Sequence, residues 1–121
     1  MAKMSEDVKK LVTETKPGLI ATSSKSGKPN VSAKGSFCVI DDEHVAFAEI
    51  KSPKTLANLR ENPQVAIICL DPATRKGCRI AGTCEIVDSG PLFDQFSKDY
   101  AARKMVVNHV VKIAVEDAYA F

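Results

Sequence analysis

Apolar positions along the chain follow two rhythms, and the points where one gives way to the other mark the elements. Between residues 4 and 15, Val8, Leu11 and Val12 form a stripe at helical spacing. Ser5 stands where a cap belongs, and Glu6 and Asp7 suit the positive end of the helix dipole. Pro17-Gly18 breaks this helix. Residues 19–23 read as a short strand, and Lys25-Ser26-Gly27-Lys28 is a polar turn compatible with a hairpin. Residues 30–40 predict a second strand, Asp41-Asp42-Glu43 a turn, and residues 44–50 a third strand.

A second helix follows over residues 53–62, with Leu56 and Leu59 on the face that docks and Asn62-Pro63 as its end. Residues 64–70 form a largely apolar, buried strand. After the polar loop 71–77, residues 78–87 make a long strand with Ile80 and Ile86 on one parity. Asp88-Ser89-Gly90-Pro91 announces a third helix, whose apolar side is Leu92, Phe93, Phe96 and Tyr100. From His109 to Phe121, Val111, Ile113 and Val115 alternate with Lys112 and Glu116, as in a half-buried strand. The sum is six strands and three short helices in an antiparallel rhythm, a mainly β, α+β class. Such a set can close into a small barrel, which removes exposed sheet edges.

Composition narrows the picture without redirecting it. At 121 residues, the chain is one domain spanning residues 1–121, large enough for a real core. A net charge of +2, with no basic block, gives no footprint for nucleic acid. The first residues contain no long apolar run, so neither a signal peptide nor a membrane span is expected, and a soluble cytoplasmic protein is. Cys38, Cys69, Cys78 and Cys84 form no C-x-x-C pair, and neither His44 nor His109 stands at zinc-like spacing from them, so no metal site is expected. Reduced thiols are the default reading. A shared face for Cys78 and Cys84 is the redox or ligand alternative.

No nucleophile–base frame, dinucleotide fingerprint or phosphate loop is present, so a bound cofactor would have to supply any chemistry. The stretch with most chemical content is the start of the second helix. Ser52 suits the N-cap, and Pro53 suits the first position, where its missing N–H costs nothing. Lys54 and Thr55 then fall beside amides that lack an intrahelical acceptor, an arrangement suited to a phosphate. An ordinary capped helix with a solvated lysine is the competing reading. Asn58, one turn on, either meets a ligand or faces water. Ser32 and Lys34, two apart in a strand, project from one face and offer a polar surface either to a ligand or to solvent. Arg79 is a further basic candidate or a surface arginine.

A strand, a short helix with this start and a buried strand resemble the flavin-binding split-barrel proteins related to pyridoxamine 5′-phosphate oxidase. The resemblance extends to residues 27–37 with Asp41-Asp42, and forward to residues 77–86, covering roughly residues 5–90. It implies a six-stranded split β-barrel that binds flavin mononucleotide (FMN) non-covalently between the subunits of a homodimer, as a small oxidoreductase with a small-molecule redox partner. It implies that Lys54 and Thr55 hold the phosphate and that Ser32 and Lys34 lie by the ring or the ribityl chain. It also implies that Arg79 reaches the phosphate across the dimer contact. Pro53 stands where pyridoxamine-phosphate oxidases proper have an arginine, which argues against the namesake reaction. A flavin-binding or electron-transfer module without turnover, a deazaflavin protein, and haem binding through His44 or His109 are the alternatives. Phe37, Phe47 or the C-terminal aromatics would wall the ring. Val111, Ile113, Val115, Tyr119 and Phe121 would supply apolar dimer surface.

Overall fold

In the computed structural model, which describes residues 2–121, all the strands belong to one antiparallel sheet in the order β2-β1-β5-β6-β7-β4-β3. The elements are α1 (Glu6–Glu14), β1 (Gly18–Ser23), β2 (Pro29–Lys34), β3 (Cys38–Asp41), β4 (His44–Glu49), α2 (Pro53–Glu61), β5 (Gln64–Asp71), β6 (Lys76–Val87), α3 (Pro91–Ala101) and β7 (His109–Ala120). Among the described residues there are seven strands rather than six, because residues 30–40 are two strands and not one. Gly35 and Ser36 interrupt the ladder, and Phe37 turns inward to become fully buried. β2 and β3 therefore lie on opposite edges of the sheet, although adjacent in sequence, and no ladder joins them. The sheet is open along that line and does not close as a barrel.

Phe37 fixes this break. A side chain at Gly18 would come within 2.7 Å of its ring, so only glycine lets β1 start against it. Around Phe37 lies a core of Val8 and Val12 from α1, Ile20, Val45, Phe47, Ile67, Ile80, Ile113 and Val115. β4 is buried on both faces. Val45 and Phe47 enter that core, while Ala46 and Ala48 pack under α3 with Phe96, Val107 and Val110. Small residues on the outer face of β4 let the helix approach closely. The apolar positions predicted for α3, namely Leu92, Phe93, Phe96 and Tyr100, all belong to this second cluster.

Two expectations are corrected here. Val111, Ile113 and Val115 are fully buried in the protein's own core, so of the five residues named for the dimer surface Tyr119 and Phe121 are the exposed ones. On α2 the buried residues are Thr55 and Leu59, and Leu56 is only partly covered. At the β6–β7 ladder the register slips between Ala81 and Gly82, where the Gly82 backbone comes so close that a Cβ would lie 2.3 Å from the Ala114 carbonyl. Gly82→Ala is expected to cost about 1–3 kcal/mol in chemical denaturation, the range for forced overpacking. Gly35→Ala, where a Cβ meets nothing within 4 Å, should change stability by less than about 0.5 kcal/mol.

Candidate cofactor site at the start of helix α2

β2 alternates exposed and half-buried positions, and the half-buried set is Asn30, Ser32 and Lys34. At about 3.3 Å per residue these make a polar row roughly 13 Å long. Ser32 lies opposite the fully buried Ile20, so the row points to the core side of the sheet edge, where α2 packs. Thr55 is wholly buried there. Its hydroxyl accepts from Asn30 Nδ2 at 3.1 Å and is joined to Ser32 Oγ by a short hydrogen bond. Farther along the helix, Asn58 Nδ2 donates to Thr22 Oγ1 at 3.1 Å and Asn62 Nδ2 to Ser23 Oγ at 3.0 Å. One polar edge of α2 is thus stitched to β1 and β2, as a half-buried polar seam requires.

At the helix start, Ser52 is the N-cap residue and Pro53 follows it, but no side chain caps the first turn. The Ser52 hydroxyl faces the other way. It accepts from Lys34 Nζ at 2.6 Å, and both the hydroxyl and the amide of Ser52 donate to Glu49 Oε1, at 3.3 and 2.8 Å. Lys34 also stands 5.6 Å from the centroid of the Phe47 ring. Burial holds the Lys34 ammonium below its ordinary value of 10.5, and the Glu49 charge pulls in the opposite direction.

The structure brings Ser32, Lys34, Thr55 and Asn58 together around α2. Lys54 is exposed and borders a groove of about 260 Å³ shared with Ser24, Lys28, Asn30 and Asn58. Arg79 is elsewhere in the subunit. The cross-strand row Ala33–Leu19–Ile68–Arg79–Tyr119 runs across the outer face of the sheet, opposite to Ser32. Around Arg79 are Leu19, Ala21, Val31, Ala66 and Ile68, an apolar face on which Val31 is 65% exposed. Phe37 and Phe47 are fully buried, so only Phe47, beneath Lys34, borders the polar row.

Three site residues were not singled out from the sequence. Asn30 shares strand parity with Ser32 and Lys34, which was signal enough. Glu49 is a carboxylate closing an apolar strand, which only burial makes unusual. Lys28 reaches the groove through the hairpin turn. His44 and His109 are each bonded to an aspartate, Asp41 and Asp88. Cys69 and Cys78 face each other across β5 and β6, both buried, and the Cys78 thiol, followed by burial, pushes Cys69 up. Burial pushes Cys84 up to about 11, so its thiol stays protonated at neutral pH. Among the described residues, no helix is long and apolar enough to cross a membrane.

The structure is thus a mainly antiparallel α+β protein whose edge strand lays amide, hydroxyl and ammonium groups against a helix start that no side chain caps. Residues 4–120 match the pyridoxamine 5′-phosphate oxidase family, and the chain belongs to that family. It is 41% identical over 69 residues to the uncharacterized protein MJ0282 of Methanocaldococcus jannaschii. That match covers 55% of this chain and 46% of the other, so the chain spans about half the length of this curated relative. HupZ of Group A Streptococcus superimposes with a TM-score of 0.89 at 26% identity, over 98% of this chain and 94% of that one.

More distant sequences share the fold. An FMN-binding protein of Syntrophomonas wolfei has a TM-score of 0.85 at 16% identity, covering 95% of this chain and 84% of its own. An F420 reductase (TM-score 0.73, 20% identity, 96% and 98% covered) and the haem storage protein HutZ of Vibrio cholerae (0.73, 20%, 98% and 94%) have the same architecture.

The half-buried lysine sets a pH test. A base whose folded pKa lies below its unfolded value binds fewer protons in the folded state between the two values, so stability rises with pH across that window. For Lys34 the window lies just below 10.5. The stability of ligand-free wild type, followed by urea unfolding, should therefore climb more steeply through this alkaline range than that of Lys34→Met. Parallel curves would mean that Lys34 is as well solvated folded as unfolded.

Proposed function

We propose that the protein binds FMN non-covalently and acts as a small flavin-dependent oxidoreductase, with the flavin seated between the subunits of a homodimer. The observation that carries this reading is the convergence of Asn30, Ser32 and Lys34 on the uncapped start of α2. An anion there takes the place of a cap, meeting first-turn amides at the positive end of the dipole with Lys54 alongside. The residues fit an elongated phosphate ester: the phosphate at the backbone amides of the first turn and Lys54, a polyol chain along Ser32, and the polar edge of a ring near Lys34, with the buried Thr55 hydroxyl holding Asn30 and Ser32 in place. Bound FMN would supply one- or two-electron redox chemistry at its ring. The chain's own part is to hold the phosphate and, through Lys34, to set the field beside the ring. Family membership and the FMN-binding protein of the same fold support the reading. Asn58, bonded to Thr22, would serve by fixing α2 rather than by touching the ligand.

The dimer reading has a better basis in the outer face of β1, β2, β5, β6 and the end of β7 than in Val111, Ile113 and Val115. Leu19, Val31, Leu70 and Tyr119 are all 40% exposed or more, and a contiguous apolar face of that kind is what a two-fold contact covers. Arg79 lies within this face, so in a dimer it would be carried toward the partner subunit, where it would reach the phosphate. The F420 reductase and HutZ keep a deazaflavin and a haem in play for this fold. The absorption spectrum of the purified protein separates them from FMN, and turnover with a nicotinamide donor separates an oxidoreductase from a binding module.

Fluorescence titration is expected to show FMN binding at least about tenfold tighter than riboflavin, since only FMN brings the anion; equal affinities would remove the phosphate assignment. Lys54→Ala should weaken FMN binding by about tenfold, the low end for a charge-assisted bond because Lys54 is exposed. Lys34→Ala should instead lower the flavin midpoint potential by about 30 mV, equivalent to about 1.4 kcal/mol for a two-electron couple. For assembly, light scattering at micromolar protein should give a dimer mass for wild type and a monomer mass for Val31→Asp. A monomeric wild type in the presence of FMN would rule out the shared site.

A further inference from the structure

Two helices of this protein carry serine at the N-cap position, and the two serines behave differently. At α1, Ser5 does what an N-cap serine ordinarily does, its Oγ accepting from the Val8 amide at 3.2 Å. At α2, Ser52 occupies the same position, yet its hydroxyl makes no cap bond and its backbone is displaced to φ −137°, ψ 66°. The difference between the two is Glu49. Its carboxylate, at the end of β4, is only 4% exposed and takes both the amide and the hydroxyl hydrogen of Ser52. The hydroxyl oxygen accepts from Lys34 Nζ at 2.6 Å.

Glu49 has no lysine or arginine within ion-pair distance among the described residues, and the positive charge associated with it reaches it through Ser52. A buried carboxylate is costly unless hydrogen-bonded, and a glutamine would satisfy the same amide without a charge. Glu49 takes the Ser52 amide at 2.8 Å and the hydroxyl at a longer 3.3 Å, and together with the 2.6 Å bond from Lys34 it holds the hydroxyl away from the helix start.

We propose that Glu49 is a positioning residue of the site: it withdraws the Ser52 hydroxyl from α2, keeping the first-turn amides open for an anion, and fixes Lys34 beside the ring through the same hydroxyl. This rests on the reading of the α2 start as the phosphate end. Without the carboxylate, Ser52 caps α2 as Ser5 caps α1, and the cap competes with the anion for the same donors.

The test is a double-mutant cycle with FMN and riboflavin as probes. Glu49→Gln is expected to weaken FMN binding about tenfold and leave riboflavin binding unchanged. Glu49→Met, of similar size and without an acceptor oxygen, should do the same if the glutamine variant folds poorly. In the Ser52→Ala background, which has no hydroxyl to turn, Glu49→Gln should have no further effect on the FMN-to-riboflavin ratio. Equal loss of both ligands would make Glu49 merely structural, and an undiminished effect without the Ser52 hydroxyl would show that it does not act through Ser52. Either result overturns the proposal.

Amide hydrogen exchange in the ligand-free protein separates this idea from the phosphate reading. Slower exchange of the Thr55 amide in Glu49→Gln, absent in Glu49→Gln/Ser52→Ala, supports the role of Glu49 even if wild type shows no preference for FMN. Unchanged exchange overturns that role even if the preference is strong.

Discussion

The burial of Phe37 against Gly18 is the constraint on which the rest of the structure depends. It stops β2 at Lys34, turns the chain through residues 35–37, and delivers it to the far edge of the sheet as β3. Two strands adjacent in sequence thereby become the two edges of one curled sheet. An edge strand presents unpaired backbone and a side-chain face that no neighbouring strand covers. In this protein that face, the row Asn30–Ser32–Lys34, is covered by the start of α2 instead.

The chemistry of the seam follows from that covering. Thr55 can be wholly buried only because Asn30 and Ser32 satisfy its hydroxyl, and an apolar residue there would leave both of those groups to find other partners. The same logic links Lys34, Ser52 and Glu49, where one hydroxyl bridges a half-buried ammonium and a buried carboxylate. A network of this kind is rigid because each member is satisfied by the next, and the groups it leaves over are the first-turn amides of α2 and the exposed Lys54. Polar groups on the core side therefore hold the donors in place, while those on the rim are the ones the proposed anion would meet.

The two faces of the sheet differ in character. Cross-strand neighbours share a face, so the single register that sets Ser32 beside Ile20, Ile67 and Ile80 also sets Arg79 beside Leu19, Ile68 and Tyr119. A slip of one residue would carry the polar row to the outer face and bury Arg79. The register shift at Ala81–Gly82, where a Cβ at Gly82 would meet the Ala114 carbonyl, adjusts the β6–β7 pairing.

Much of this was legible in the chain. The helices α1, α2 and α3, the long strands β5, β6 and β7, and the shared face of Ser32 and Lys34 all follow from period, caps and strand parity, because those signals are local, whereas the meeting of that face with Thr55 was implied only by the family resemblance. The split at residues 35–37 was not, since a glycine and a serine within an otherwise strand-like run do not reveal that Phe37 will be drawn into a core built from distant residues. Nor was the burial of Val111, Ile113 and Val115, because an alternating strand states that one face is covered and not whether its own subunit or another covers it. The orientation of the Ser52 hydroxyl depended on Glu49 and on Lys34 from another strand, so the sequence marked Ser52 as a cap and the tertiary structure turned it away. Local spacing determined which groups could meet an anion; the long-range packing of Phe37, Thr55 and Glu49 decided which of them were left free to do so.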